Sequence, residues 1–267
     1  MNIDLWREIY ILGGNMEFFK KLKRKVSVVV AILIGLVVAL GGFAYLTKGV
    51  FMETKNKMPI YSVDTKDKKV AITFDTSWGA DRTDSILDTL DKYDIKATFF
   101  LVGGWCDDYP DKVKTIVKRG HEIGNHSNKH PNFTTISKDR IIKEVEITNA
   151  KILGLTGQTP TLFRFPEGQY NDLAIQTIEE GRLLPIQWDV DSIDWKGNGV
   201  EEEYNRVIKN VGPGSIVLFH NDGKYTPESL PKVIETLQKE GYEFVKVTEL
   251  LMKENYYIDH KGKQIGK

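Results

Sequence analysis

His126 and His130 stand four positions apart in the run His126-Ser-Asn-Lys-His130, a spacing at which two imidazoles can share one divalent ion. Four other segments carry reactive side chains. Asp75 ends the apolar run Val70-Ala-Ile-Thr-Phe74, and Arg164 opens Arg164-Phe-Pro166-Glu167-Gly168. Asp191 and Asp194 belong to Asp191-Ser-Ile-Asp194-Trp195, and His220 closes Leu218-Phe-His220. A metal ion can activate water, a carboxylate can take its proton, and a histidine can return one to a leaving group. These are the parts of a hydrolase. Taken singly, each residue has a plainer use: a strand-end Asp caps a turn, His220 satisfies a core hydrogen bond, Trp195 packs. Their joint placement carries the argument.

That placement depends on the elements between them. After Lys69, short apolar runs alternate with amphipathic stretches, as expected of strands covered on both faces and joined by helices. Strands are expected at 70–74, 97–102, 121–125, 161–165, 184–190, 215–220 and 243–247. Helices are expected from about 83, then near 113–118, 138–155, 172–180, 201–210 and 229–240, with a short last one. Ser137 is a suitable N-cap, and Gly120 can end its helix in the left-handed conformation. Helical crossovers of this length make the strands parallel. Seven units can form an incomplete barrel or an open doubly wound sheet, and both put function at the C-terminal strand ends. Asp75, His126, His130, Arg164, Asp191, Asp194, Trp195 and His220 all fall there. His121 opens its strand, at the opposite end, and reads as structural.

The 267 residues carry 37 basic and 37 acidic side chains. This balance shows no basic excess of the kind a nucleic-acid surface needs. The single cysteine, Cys106, rules out an intrachain disulfide and a four-cysteine zinc site. Nothing in the sequence signals an oligomeric state. Residues 26–47 are apolar and uncharged, long enough to span a bilayer, and follow Lys20, Lys21, Lys23, Arg24 and Lys25. Positive charge on the cytoplasmic side would put the rest of the chain outside the membrane. Ala39-Leu-Gly41 offers an alternative as a cleavage site. Translation is expected to begin at Met16, with residues 1–15 an artefact. The expected organisation is a basic N-terminus over 1–25, an anchor over 26–47, a linker over 48–67, a folded domain over 68–252 and a polar tail over 253–267.

The five segments resemble, in order, the five motifs of the polysaccharide deacetylase family (carbohydrate esterase family 4, the NodB homology domain). Thr73-Phe-Asp-Thr-Ser-Trp-Gly79 is most similar to the sporulation-associated subgroup. The resemblance covers about residues 68–252 and implies a deformed (β/α)7 barrel acting on an N-acetylated amino sugar of the cell envelope, peptidoglycan or a related polymer. It further implies that His126 and His130 bind a divalent metal, zinc in the first instance with cobalt or nickel as alternatives. Asp75 would serve as base and His220 as acid. Arg164 would hold Asp75 ionised, while Asp194 orients His220. Asp191 would share that task or cap its loop. Trp195 and Leu218 would wall an acetyl pocket, with Pro166 and Glu167 near the substrate and the Glu167 N–H facing the carbonyl oxygen. Two positions depart from the family. Thr76 stands where a metal-binding Asp is usual, and Glu167 where Tyr or Asn is common. Three consequences of Thr76 stay open: Asp75 itself binds metal, the site holds zinc weakly, or the domain only binds glycan. A glycosidase reading has one evident carboxylate pair, Asp75 and Asp194, and leaves the histidines without a purpose.

Overall fold

The computed structural model describes residues 20–25, 27 and 57–267. Residues 20–25 form a helical stretch, taken by itself. The expected anchor over 26–47 lies outside the described residues apart from Ser27, as do residues 1–19. Among the described residues no helix is long and apolar enough to cross a membrane.

The chain from Asn56 to Lys267 is one compact unit. It begins with β1 (Ser62–Val63) and β2 (Lys69–Thr76), followed by α1 (Thr83–Lys92), β3 (Thr98–Leu101), α2 (Gly103–Asp108) and α3 (Pro110–Lys118). Next come β4 (Glu122–Asn125), α4 (Lys138–Thr156), β5 (Leu162–Phe163), a 3-10 turn at Pro166–Gly168 and α5 (Asp172–Glu180). Then follow β6 (Leu184–Pro185), β7 (Val190–Asp191), a second 3-10 turn at Asp194–Lys196, α6 (Val200–Asn210) and β8 (Ile216–His220). The chain finishes with α7 (Thr226–Lys239), β9 (Glu243–Phe244), α8 (Val247–Leu250), β10 (Tyr256–Ile258) and β11 (Lys263–Gly266).

The main sheet is parallel in the order β6-β5-β4-β3-β2-β8-β7, with β9 also on β2. It is an α/β half-barrel of parallel strands. The central strand shows why: Val70, Ile72 and Phe74 pack on the helix side, where Phe74 stacks on Phe99 at 4.8 Å and meets Phe219 at 5.9 Å. Thr73 and Asp75, alternating with them, turn to the opposite face and meet Arg164. Caps behave as their chemistry dictates. The Ser137 hydroxyl accepts from Arg140 N–H at the start of α4, and Gly120 follows α3 at φ +84°.

Two expectations are corrected. The predicted strand 184–190 is two short pairings, β6 on β5 and β7 on β8, so one run of chain meets both ends of the strand path. Between those pairings Ile186 bridges in parallel to Ile60, from the segment before β1. Within the segments expected as linker and tail, the described residues 57–67 and 253–267 also join the fold. Ser62–Val63 pairs in parallel with β11, which pairs antiparallel with β10. Ile60 and Val63 are buried, and the Gln264 side chain bonds to both the N–H and the carbonyl of Met252.

Candidate active site

The C-terminal ends of the strands surround a cleft of about 470 Å³. Asp75, His126, His130, Glu167, Asp191, Trp195, Leu218 and His220 line it, together with Ser77, Trp78 and Trp188. Thr76, Arg164, Pro166 and Asp194 stand behind this wall, and all four are buried.

Asp75 is held from behind. Arg164 Nη1 donates to Asp75 Oδ1 at 2.8 Å and to Thr73 Oγ1 at 2.8 Å, while Nη2 donates to the Gln187 carbonyl at 3.1 Å. The guanidinium lies 4.0 Å from the centre of the Phe100 ring, a cation–π contact in a dry setting. Burial alone would raise the Asp75 pKa, but its contacts with His126, Arg164 and His220 outweigh it and leave the group below its ordinary value.

His126 Nδ1 lies 2.9 Å from the Arg164 carbonyl. A carbonyl only accepts, so Nδ1 carries the proton and Nε2 presents a lone pair. That lone pair faces Asp75 Oδ2 at 3.4 Å. Two acceptors at this distance need a cation or a proton between or beside them. Burial pushes the His126 pKa down, and burial with the neighbouring His126 pushes His130 down to about 4, so both rings are neutral, as metal donors must be. Their ring centres are 4.9 Å apart. The residues therefore fit a divalent ion at His126 and His130, but incompletely. Among the described residues no group of three His, Cys, Asp or Glu side chains can hold a metal. What stands at the end of β2 instead are the buried hydroxyls of Thr76 and Ser77, neither with a hydrogen-bond partner among the described residues.

His220 Nδ1 lies 2.7 Å from Asp194 Oδ1, and its own N–H donates to Asp194 Oδ2 at 2.7 Å. Thr226 Oγ1 donates to the same oxygen at 3.0 Å. Burial works against the charged imidazole, but the Asp194 contact and the charges of Asp194, Asp75 and Asp222 raise its pKa to about 9. Gly223 allows this packing: a Cβ there would lie 2.5 Å from Asp194 Oδ2. The choice between the two aspartates is thereby made. Asp191 accepts from Ile193 N–H at 2.7 Å and caps the loop, in which Ile193 is held at φ 54°. A β-branched residue there is strained, a cost of about 1–3 kcal/mol that the surrounding bonds must offset.

Sequence reasoning missed the residues that hold the site from helices. Glu144, on α4 and 1% exposed, accepts from the N–H groups of Asn128 at 2.9 Å and Lys129 at 2.7 Å. It thereby fixes the loop between the two histidines, in which Ser127 and His130 have positive φ. Asn125 Oδ1 takes the Ser127 N–H at 2.7 Å from the other side. Glu203, also buried, accepts from Ser229 Oγ at 2.6 Å on the helix that carries Thr226; burial raises its pKa to about 7. On paper both glutamates sit in charged helical runs that read as solvent faces. Trp78 carried a signal, its place just after Asp75, but no pattern showed that it reaches the cleft. Glu144→Ala is expected to cost about 1–3 kcal/mol by leaving two N–H groups unpaired. Arg140→Ala, which removes only the half-exposed partner of Glu144, should cost about 0–1 kcal/mol. Equal shifts of the two in thermal denaturation would show that the loop contacts contribute nothing.

The polysaccharide deacetylase profile matches residues 62–183. The chain is 37% identical to a peptidoglycan-N-acetylglucosamine deacetylase of Bacillus cereus over 72% of its own length and 92% of the relative's. It is 33% identical to the peptidoglycan-N-acetylmuramic acid deacetylase PdaA of Bacillus subtilis, over 72% and 74%. Among solved structures, a family 4 pseudoenzyme from Bacillus anthracis superposes with a TM-score of 0.71 at 37% identity, covering 73% of this chain and 69% of that one. A mutant of that protein has restored enzymatic activity.

Proposed function

Since the chain belongs to the polysaccharide deacetylase family, a family of peptidoglycan deacetylases with pseudoenzymes among its structures, we propose that it is a metal-dependent N-deacetylase of peptidoglycan-type amino sugars. One observation carries this reading: Asp75 backed by Arg164 and His220 backed by Asp194 line the same cleft.

A divalent ion at His126 and His130, zinc or alternatively cobalt or nickel, would supply Lewis-acid polarisation and a more acidic water. The chain's own residues do the rest. Asp75 Oδ2, the oxygen not engaged by Arg164, takes the proton of the attacking water. His220 delivers a proton from Nε2 to the departing sugar nitrogen while Asp194 keeps Nδ1 protonated. Leu218 and Trp195 exclude water around the acetyl methyl. The Glu167 N–H is the candidate donor to the developing oxyanion.

A second reading, a non-catalytic glycan-binding module, is favoured by Thr76 and by the likeness to a pseudoenzyme. Acetate release from peptidoglycan and from N-acetylglucosamine oligomers separates the two, measured on the full chain in detergent. The enzyme reading expects activity that a chelator lowers and zinc restores. Activity absent with every metal, but gained in Thr76→Asp, would defeat it and support the binding module. We further propose that residues 26–47 anchor the chain with this domain outside the cytoplasm, and that it acts in sporulation. The uncharged run after a basic cluster supports the first, and the likeness of 73–79 to the sporulation subgroup the second.

A further inference from the structure

Trp78 is 60% exposed although it lines the cleft. Its backbone is nonetheless pinned. The carbonyl of the next residue, Gly79 at φ +55°, accepts from Trp105 Nε1 at 2.6 Å and from Asn221 Nδ2 at 2.9 Å. Trp105 is buried in α2, and Asn221 follows His220, so the turn is tied to the catalytic rim on two sides. The indole meets His130 edge-on, ring centres 5.2 Å apart, and leaves most of its surface open.

Trp195 is the counterpart, 61% exposed on the same cleft. The sheet order gives their relation. Trp78 follows β2, Trp195 follows β7, and β8, ending in His220, lies between those strands. Two open indoles therefore flank the residue placed to protonate the sugar nitrogen. Two exposed aromatic faces on the rim of one cleft suit a ligand-binding surface. The ligand that suits it has alternating apolar and polar faces. A pyranose ring presents its axial C–H bonds to the electron-rich face of an indole and keeps its hydroxyls in water.

We propose that Trp78 is a stacking platform for a sugar ring adjacent to the one whose acetyl group enters the pocket. This rests on the reading of the cleft as an N-acetyl-sugar site. It adds a subsite on the β2 side of His220, on a residue whose neighbours Thr76 and Ser77 contribute no carboxylate.

The test is binding, so it does not depend on turnover. The full chain and its Trp78→Ala and Trp78→Phe variants are titrated with N-acetylglucosamine and with its trimer and pentamer, by calorimetry or ligand-observed NMR. In the parent, affinity rises from monomer to trimer. Trp78→Ala lowers trimer and pentamer affinity by about tenfold more than monomer affinity, the scale of one lost aromatic face, and Trp78→Phe keeps most of it. An equal loss at every length would mean that the indole merely packs on His130, and would overturn the proposal. So would no loss at all. Trp78-dependent oligomer binding without acetate release would leave this subsite standing while the deacetylase reading fails. Acetate release with unaltered length dependence in Trp78→Ala would do the reverse.

Discussion

Arg164→Met is expected to destabilise the domain by about 3–5 kcal/mol, the cost of leaving a buried charge without its partner. For a domain of this size that corresponds to a fall in Tm of roughly 6–20 °C. The reason lies in what remains. Asp75 is 5% exposed, and Arg164 Nη1 supplies both its countercharge and the hydrogen bond to Oδ1. Asp75→Asn alone should be comparably costly, because the fully buried guanidinium is then the orphan. The double variant should recover much of the loss, since removing both members of a buried pair is close to neutral. Lysine cannot substitute: one ammonium cannot reach Thr73, Asp75 and the Gln187 carbonyl in the geometry of a planar fork. The pair also sets an acid limb. The Asp75 pKa is depressed, so its contribution to stability is present above the ordinary value of 3.8 and is lost as pH falls through the lower folded value. Denaturant midpoints of the parent should therefore drop more steeply below about pH 4 than those of the double variant. Strictly additive losses in the cycle would show that Asp75 and Arg164 are not coupled, and would remove the ionised base from the mechanism.

Replacing Asp194 by Asn should lower deacetylation at pH 8 by about 10²–10⁴-fold, as should replacing His220 by Asn, the range expected for a lost general acid. The two variants differ in their pH profiles. With Asp194 in place the His220 pKa is about 9, so kcat/KM in the parent falls only as pH rises past that value. Without the Asp194 carboxylate, burial is less opposed and the alkaline limb should move toward or below the ordinary 6.5. His220→Asn should show no such limb. Stability follows the same sign. A raised pKa contributes stability that is complete below 6.5 and is lost as pH rises through about 9. The parent should therefore lose stability across that window, while Asp194→Asn stays flat. An alkaline limb unchanged in Asp194→Asn would mean that a group other than His220 provides the proton.

The residues of these two predictions were legible in the sequence, because their types and strand-end positions are local properties. A period of two in Val70–Phe74 makes a strand, the polar residue after it comes at the rim, and Ser137 or Gly120 set helix ends through their own backbone chemistry. Alternation therefore named Asp75, His126, His130 and His220 before any coordinates. The resemblance then attached roles to them.

Which of two similar residues does the work was a tertiary decision. Asp191 and Asp194 are three positions apart and chemically alike, yet only Asp194 turns back to His220, while Asp191 takes an N–H of its own loop. Glu144 and Glu203 look like surface charges until helix packing buries them against groups from distant strands. The expected strand 184–190 splits because its two ends pair with different strands, β5 and β8, and its middle with Ile60. Trp78 becomes part of the cleft only because Trp105 and Asn221, from other segments, hold its turn there. Sequence period reports the torsions and neighbours along the chain. Burial, pairing and direction are set by contacts between segments that only the folded chain brings within a few ångströms.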